Sequence, residues 1–101
     1  MKLLTEELKK QLPALYSQEQ NPDPTVVCKF FTPWSSWSWY AYEYSPEDQL
    51  FFGKVFSELC PDGEIGYFSL AELESIQGPV GLKIERDLHF KVCKSSEIRQ
   101  N

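Results

Sequence analysis

TPWSSWSWYAYEY, residues 32–44, carries three tryptophans and three tyrosines in thirteen positions. Whether these rings form a core or a surface decides the fold. From about Trp37 to Tyr44 the stretch reads as a strand, because aromatic residues suit a pleated, half-buried surface. Successive side chains of a strand point to opposite sides. Trp37, Trp39, Ala41 and Glu43 then share one side, and Ser38, Tyr40, Tyr42 and Tyr44 the other.

The flanking segments turn this strand into a meander. Upstream, TVVCKFFT at 25–32 is β-branched and aromatic, and Pro33 with Ser35 and Ser36 supplies a turn between the two strands. Downstream, SPED at 45–48 makes a second turn into LFFGKVF at 50–56, where Phe51 and Val55 oppose Leu50, Phe52 and Phe56. Pro61, Asp62 and Gly63 form a tight connection to a fourth strand, EIGYF. Both faces of this sheet are apolar.

Two helices frame the meander. Leu4, Leu8, Leu12 and Leu15 recur at helical spacing, Thr5 can cap, and Glu6 and Glu7 sit at the positive end. SQEQNPDPT then reads as a surface loop. Ser69 with Glu72 three residues on is a capping box opening LAELESI, which Gly78 and Pro79 end. Leu70, Leu73 and Ile76 face one side of this helix. In LKIERDLHF, Leu82, Ile84, Leu88 and Phe90 alternate inward with Arg86 on their side, for which Glu43 or Glu72 are candidate partners. The reading is therefore α+β, one domain over 1–101. It has an N-terminal helix region within 1–16, a β-meander at 25–68, a short helix at 69–77, a last strand at 82–93 and a frayed tail at 94–101. The antiparallel sheet has four or five strands.

Composition bounds the function. The chain has 101 residues, 42% hydrophobic, 25% charged and 15% aromatic, enough for one core. No apolar run approaches the roughly 18 residues of a membrane span, and the opening MKLLTEELKK turns acidic before a signal-peptide core could form, so a cytoplasmic protein is expected. Cys28, Cys60 and Cys93 are odd in number and far apart, which fits free thiols rather than a disulfide framework or metal pair. Net charge is −5, concentrated in residues 43–74, where eight acidic residues face Lys54 alone. From Lys83 to Arg99 bases outnumber acids. The acidic middle repels phosphate and attracts basic partners.

The several blocks LLTEEL, LPALY, KFFTP, Trp39 with Glu43, FFG, GYFSLAELESIQGPVGL and IERDLHF together resemble the short bacterial proteins catalogued as domain of unknown function twenty-nine fifty-eight. The resemblance spans nearly the whole chain and carries over no catalytic residue. It implies a genetic context of plasmids, integrated elements and phages, often among conjugation or antirestriction genes. The chain departs from the family pattern in its WSSW rings and in the tyrosine series at 40, 42 and 44.

Catalysis has one candidate. On a strand Glu85, Asp87 and His89 share a face, two carboxylates and an imidazole within reach of a cation or a proton transfer. A single histidine and the absence of any HExxH or cysteine pair argue against zinc or iron. No catalytic, metal-binding or cofactor-binding residue is assigned. The sharper expectation concerns the rings. Two helices cover one face of such a sheet and hardly two, so either one helix lies on each side, or the sheet curls into a half-barrel, or Tyr40, Tyr42 and Tyr44 stay exposed with Trp34 and Trp37 at the hairpin end. Beside Glu47 and Asp48 this patch suits a basic protein partner. The expected function is a non-catalytic protein-binding module, including inhibition of a host defence or nucleic-acid-processing protein. The alternatives are a single-stranded nucleic-acid platform on the same rings, disfavoured by charge, a small enzyme using Glu85, Asp87 and His89, and a homodimer that hides the tyrosine face.

Overall fold

A computed structural model describes residues 2–98. Among the described residues seven strands occur in chain order: β1 (Thr25–Val26), β2 (Cys28–Phe31), β3 (Ser38–Ser45), β4 (Leu50–Phe56), β5 (Glu64–Ser69), β6 (Glu85–Arg86) and β7 (Cys93–Lys94). Five of them form one antiparallel sheet in the order β5-β4-β3-β2-β6, and β1 pairs with β7 beside it. The meander β2 to β5 is the one expected from turns and patterning. Among the described residues no helix is long and apolar enough to cross a membrane.

Both helices lie on one face. In α1 (Glu6–Gln11) the Thr5 side chain accepts from the Leu8 N–H, and the helix stops at Leu12 because Pro13 disfavours helical backbone before it. It is thus shorter than the leucine spacing suggests. In α2 (Leu70–Ser75) the Ser69–Glu72 capping box is complete, each side chain accepting from the other's backbone N–H. A cap of this kind contributes about 1 kcal/mol. Leu3, Leu4, Leu12, Leu73 and Ile84 pack with Cys28, Phe30, Trp39, Ala41, Tyr44, Phe51 and Phe68 into the first core. Arg86 clasps the N-terminal segment to this face by donating to the Lys2 and Leu3 carbonyls at 2.8 and 2.9 Å, in place of the expected Glu43 or Glu72.

The tyrosine face is corrected by a β-bulge. Pairing between β3 and β4 shifts between Ala41 and Glu43, so that Tyr42 is the extra residue. Tyr44 therefore turns into the first core against Phe51, ring centroids 4.6 Å apart, while Tyr40 and Tyr42 remain on the second face. All three are enclosed within the monomer, at 3, 2 and 2% exposure.

What covers Tyr40 and Tyr42 is the C-terminal segment, expected to fray. The last strand predicted over 82–93 shrinks to β6. There the chain crosses the sheet edge, with Ile84 in the first core and Phe90 packed on the second, while Leu82 and Leu88 stay exposed. Beyond it β7 pairs with β1, and a 3₁₀ turn at Ser95–Glu97 brings Ser95 Oγ to 2.5 Å from the Tyr42 hydroxyl. Cys93 and Ile98 pack against Val26, Tyr40, Tyr42 and Phe56. Asp23 fixes this cover by accepting from the Ser96 N–H and hydroxyl, both at 2.8 Å, which holds its carboxyl below the usual range. The tail beyond Ile98 lies outside the described residues.

Gly53 sits opposite Ala41 at the bulge, where an added Cβ would lie 1.9 Å from the Tyr40 carbonyl oxygen; at Gly66 it would meet nothing within 4 Å. Gly53→Ala is expected to lower unfolding stability by more than about 3 kcal/mol, and Gly66→Ala to stay within about 1 kcal/mol of the parent. Urea unfolding of the pair checks this, and equal transitions would contradict the close approach.

Candidate functional site

The structure separates the residues singled out in the sequence. Trp34 lies flat on Gly78, where a Cβ would come within 2.5 Å of the indole, and Trp37 stacks on Trp39 at 5.6 Å. These half-buried rings close the hairpin end of the first core rather than form a patch with the tyrosines. Glu47 and Asp48 are exposed in the β3–β4 turn.

Glu85, Asp87 and His89 do meet, lining a cleft of about 470 Å³ with Lys29, Thr32 and Ser35. Asp87 is already engaged there. Its Oδ1 accepts the His89 backbone N–H at 2.9 Å, a local turn, and its Oδ2 lies 4.0 Å from the buried Lys29 ammonium. The His89 ring is exposed, and among the described residues nothing hydrogen-bonds it to a carboxylate or nucleophile. Nor do three or more His, Cys, Asp or Glu side chains cluster in a way that could hold a metal ion. The cleft thus gathers Glu85, Asp87 and His89 at one place, with Asp87 held between the buried Lys29 and a local turn.

A different site emerges at the other end of the second face. The bulge sets Glu43 beside Tyr42, where the residue is 3% exposed. Its two oxygens accept from the Tyr16 and Gln18 backbone N–H groups, each at 2.8 Å. This grip holds Tyr16 at φ 71°, a left-handed conformation costly for a bulky residue. Gln18 extends the anchor by accepting from Thr25 N–H and donating to the Thr25 and Tyr42 carbonyls. The loop thus stands Tyr16 up beside β5.

The cover ends there. The C-terminal segment reaches Tyr40 and Tyr42, but Ile65 and Tyr67 on β5 are 51 and 52% exposed, and Tyr16 is 63% exposed. With Phe52, Glu43 and Glu19 they border a recess of about 410 Å³. Phe52 and Tyr67 have ring centroids 4.9 Å apart. The adjacent Tyr16 hydroxyl, then burial and the charges of Glu43 and Glu19, push the Tyr67 phenol upward from its usual range.

β5 is also an open edge of the sheet. Leu70 N–H donates to the Gln49 carbonyl one step beyond the Leu50–Ser69 pair. Antiparallel pairs alternate in hydrogen bonding, so Phe68, Gly66 and Glu64 bond inward to β4, and Ile65 and Tyr67 direct N–H and C=O outward. The opposite edge, β6, has two residues. Short edges, lysines and prolines are the usual defences against stray pairing, and β5, with six residues, contains neither lysine nor proline.

A family model matches residues 3–97. The chain belongs to the family described as Protein of unknown function (DUF2958). That agrees with the likeness read from its sequence blocks. No curated protein and no solved structure matches. For this DUF2958 chain the site must therefore be read from its own residues. Tyr16, Phe52, Ile65 and Tyr67 were not singled out in the sequence. The signal was present in EIGYF, where Ile65 and Tyr67 oppose Phe68, so that β5 too is apolar on both sides.

The cysteines take no part in this site. Burial pushes the Cys28 thiol up to about 12 from 9.0, and Cys60 and Cys93 also lie above the usual range, Cys60 first through its bond to Glu64 and Cys93 through burial. Iodoacetamide at about pH 8 should spare Cys28 until the protein unfolds, since the thiolate is the nucleophile. The same shift fixes the sign of alkaline stability. An unfolded Cys28 releases its proton first, so its contribution is intact below pH 9.0 and lost as pH rises towards about 12. Peptide mapping of alkylated native protein checks this, and early labelling of Cys28 would contradict its burial.

Proposed function

We propose that the protein is a non-catalytic binding module of the cytoplasm that takes an extended, basic segment of a partner protein along β5. The observation that carries this reading is the open β5 edge, with two residues' backbone groups directed outward and apolar side chains exposed beside them. Strand addition to a sheet edge draws affinity from main-chain hydrogen bonds and selectivity from neighbouring pockets.

Charge supports a basic segment. Asp62 and Glu64 stand at the start of β5, and Asp48 and Glu72 near its end, all exposed. Opposite potentials speed encounter and fix register. The same arrangement disfavours a second copy as the occupant, because antiparallel pairing of two β5 strands would bring the Asp62–Glu64 end against the Asp48–Glu72 end. Burial of Tyr40 and Tyr42 removes the stacking platform on which single-stranded nucleic-acid binding would rest. The plasmid and phage context implied by the family resemblance makes a host protein, including one of a defence or nucleic-acid-processing system, the first partner to seek.

Ile65→Pro removes an outward N–H without touching the bonds to β4. Affinity capture from a host lysate with parent and variant should yield a stoichiometric partner with the parent alone. In that complex the Ile65 and Tyr67 amides should gain protection from hydrogen exchange. Equal capture by the variant, or unchanged exchange at both amides, would refute edge docking, and a dimer by light scattering would assign the edge to self-association.

A further inference from the structure

We propose that the recess bordered by Tyr16, Phe52 and Tyr67 above Glu43 receives a cationic side chain, the ammonium or guanidinium group of a lysine or arginine carried by the docked segment. This rests on β5 being the docking edge. Three independent features converge on it.

The first is the wall. Tyr16, Phe52 and Tyr67, with the buried Tyr42 behind them and Gln18, Pro22 and Pro24 alongside, line about 410 Å³, with Phe52 and Tyr67 at 4.9 Å and Tyr42 and Phe52 at 6.2 Å between centroids. Faces of aromatic rings attract cations through their quadrupole, more strongly as water is excluded. The second is the charge below it. Glu43 is buried and its oxygens accept only neutral backbone N–H groups; among the described residues no lysine or arginine nitrogen lies within 4.0 Å of it. Glu19 adds a second carboxylate at the rim. Lys54, the one base bordering the recess, turns its ammonium over the Phe56 ring at 5.5 Å and its stem along Gly63. The Tyr67 phenol, pushed upward first by the Tyr16 hydroxyl and by burial, also feels the field of both carboxylates.

The third is position. Ile65 and Tyr67 line both the open edge and the recess. An added strand lies about 4.8 Å beyond β5, a span that lysine and arginine side chains can cross while laying their stems on apolar surface. The strained Tyr16 then has a use. Glu43 sets both the charge under the site and the ring beside it.

Two small probes test the recess without any strand: N-acetyl-lysine methylamide and its uncharged analogue N-acetyl-norleucine methylamide. Titrated into ¹⁵N-labelled protein, the lysine probe should give saturable shifts at the Tyr16, Glu43, Phe52 and Tyr67 amides that weaken with added salt. The norleucine probe should bind at least about 3-fold more weakly. Tyr67→Leu and Glu19→Gln, exposed positions whose thermal midpoints should match the parent, should each weaken the lysine probe about 3-fold or more. Equal binding of both probes, or no saturable shift at any of the four amides, overturns the cation site. If that happens while the Ile65 and Tyr67 amides are still protected in the captured complex, edge docking survives alone. If the probes bind as expected and edge protection fails, the assignment to a docked segment falls.

Discussion

One irregularity in the backbone organises the molecule. Without the bulge at Tyr42, Tyr44 would remain on the second face with Tyr40 and Tyr42, and Glu43 would point into the first core among Trp39, Phe51 and Phe68. An unpaired carboxylate there would cost several kcal/mol. With the bulge, the ring enters the core and the carboxylate turns to the side where two loop N–H groups await it. Gly53 makes the bulge sterically admissible, since any side chain there would strike the Tyr40 carbonyl. Core composition, loop anchoring and the recess beside β5 all follow from that extra residue.

The division of labour between the two faces is unequal. The first is sealed by both helices and by the N-terminal leucines, which Arg86 ties down through carbonyl contacts. The second has no helix of its own and depends on an irregular segment whose few apolar side chains, Phe90, Cys93 and Ile98, are placed by specific polar ties. Such a cover is narrow. It shields β1, β3 and the end of β4, and leaves Ile65 and Tyr67 to solvent.

Much of this was legible in the sequence. Alternation and turn residues located β2 to β5, and the Ser69–Glu72 pair located α2, because these signals act over a few residues. The surplus of rings over helices was also legible, and it was real. Its resolution was not, for reasons of range. A bulge changes side-chain parity without any composition of its own to announce it, so strict alternation assigns Tyr44 to the wrong face. The segment after Phe90 looks polar because the residues that bind it, Ser95 and Ser96, act as hydrogen-bond partners of Tyr42 and Asp23 more than 50 positions earlier. Arg86 likewise found carbonyls some 84 positions away. The exposed corner at Tyr16, Ile65 and Tyr67 could be recognised only after the cover was known to stop short of it.

The thinness of that cover has a consequence for local opening. Phe90 to Ile98 belong to the second core and not to the first, so they can lift away while β2 to β5 stay paired and packed on α1 and α2. During such an opening Tyr40, Tyr42 and Phe56 lack their lid, and the sheet presents an oily flank to whatever is nearby, the circumstance in which chaperones bind. Quality control would therefore meet this protein at its second face.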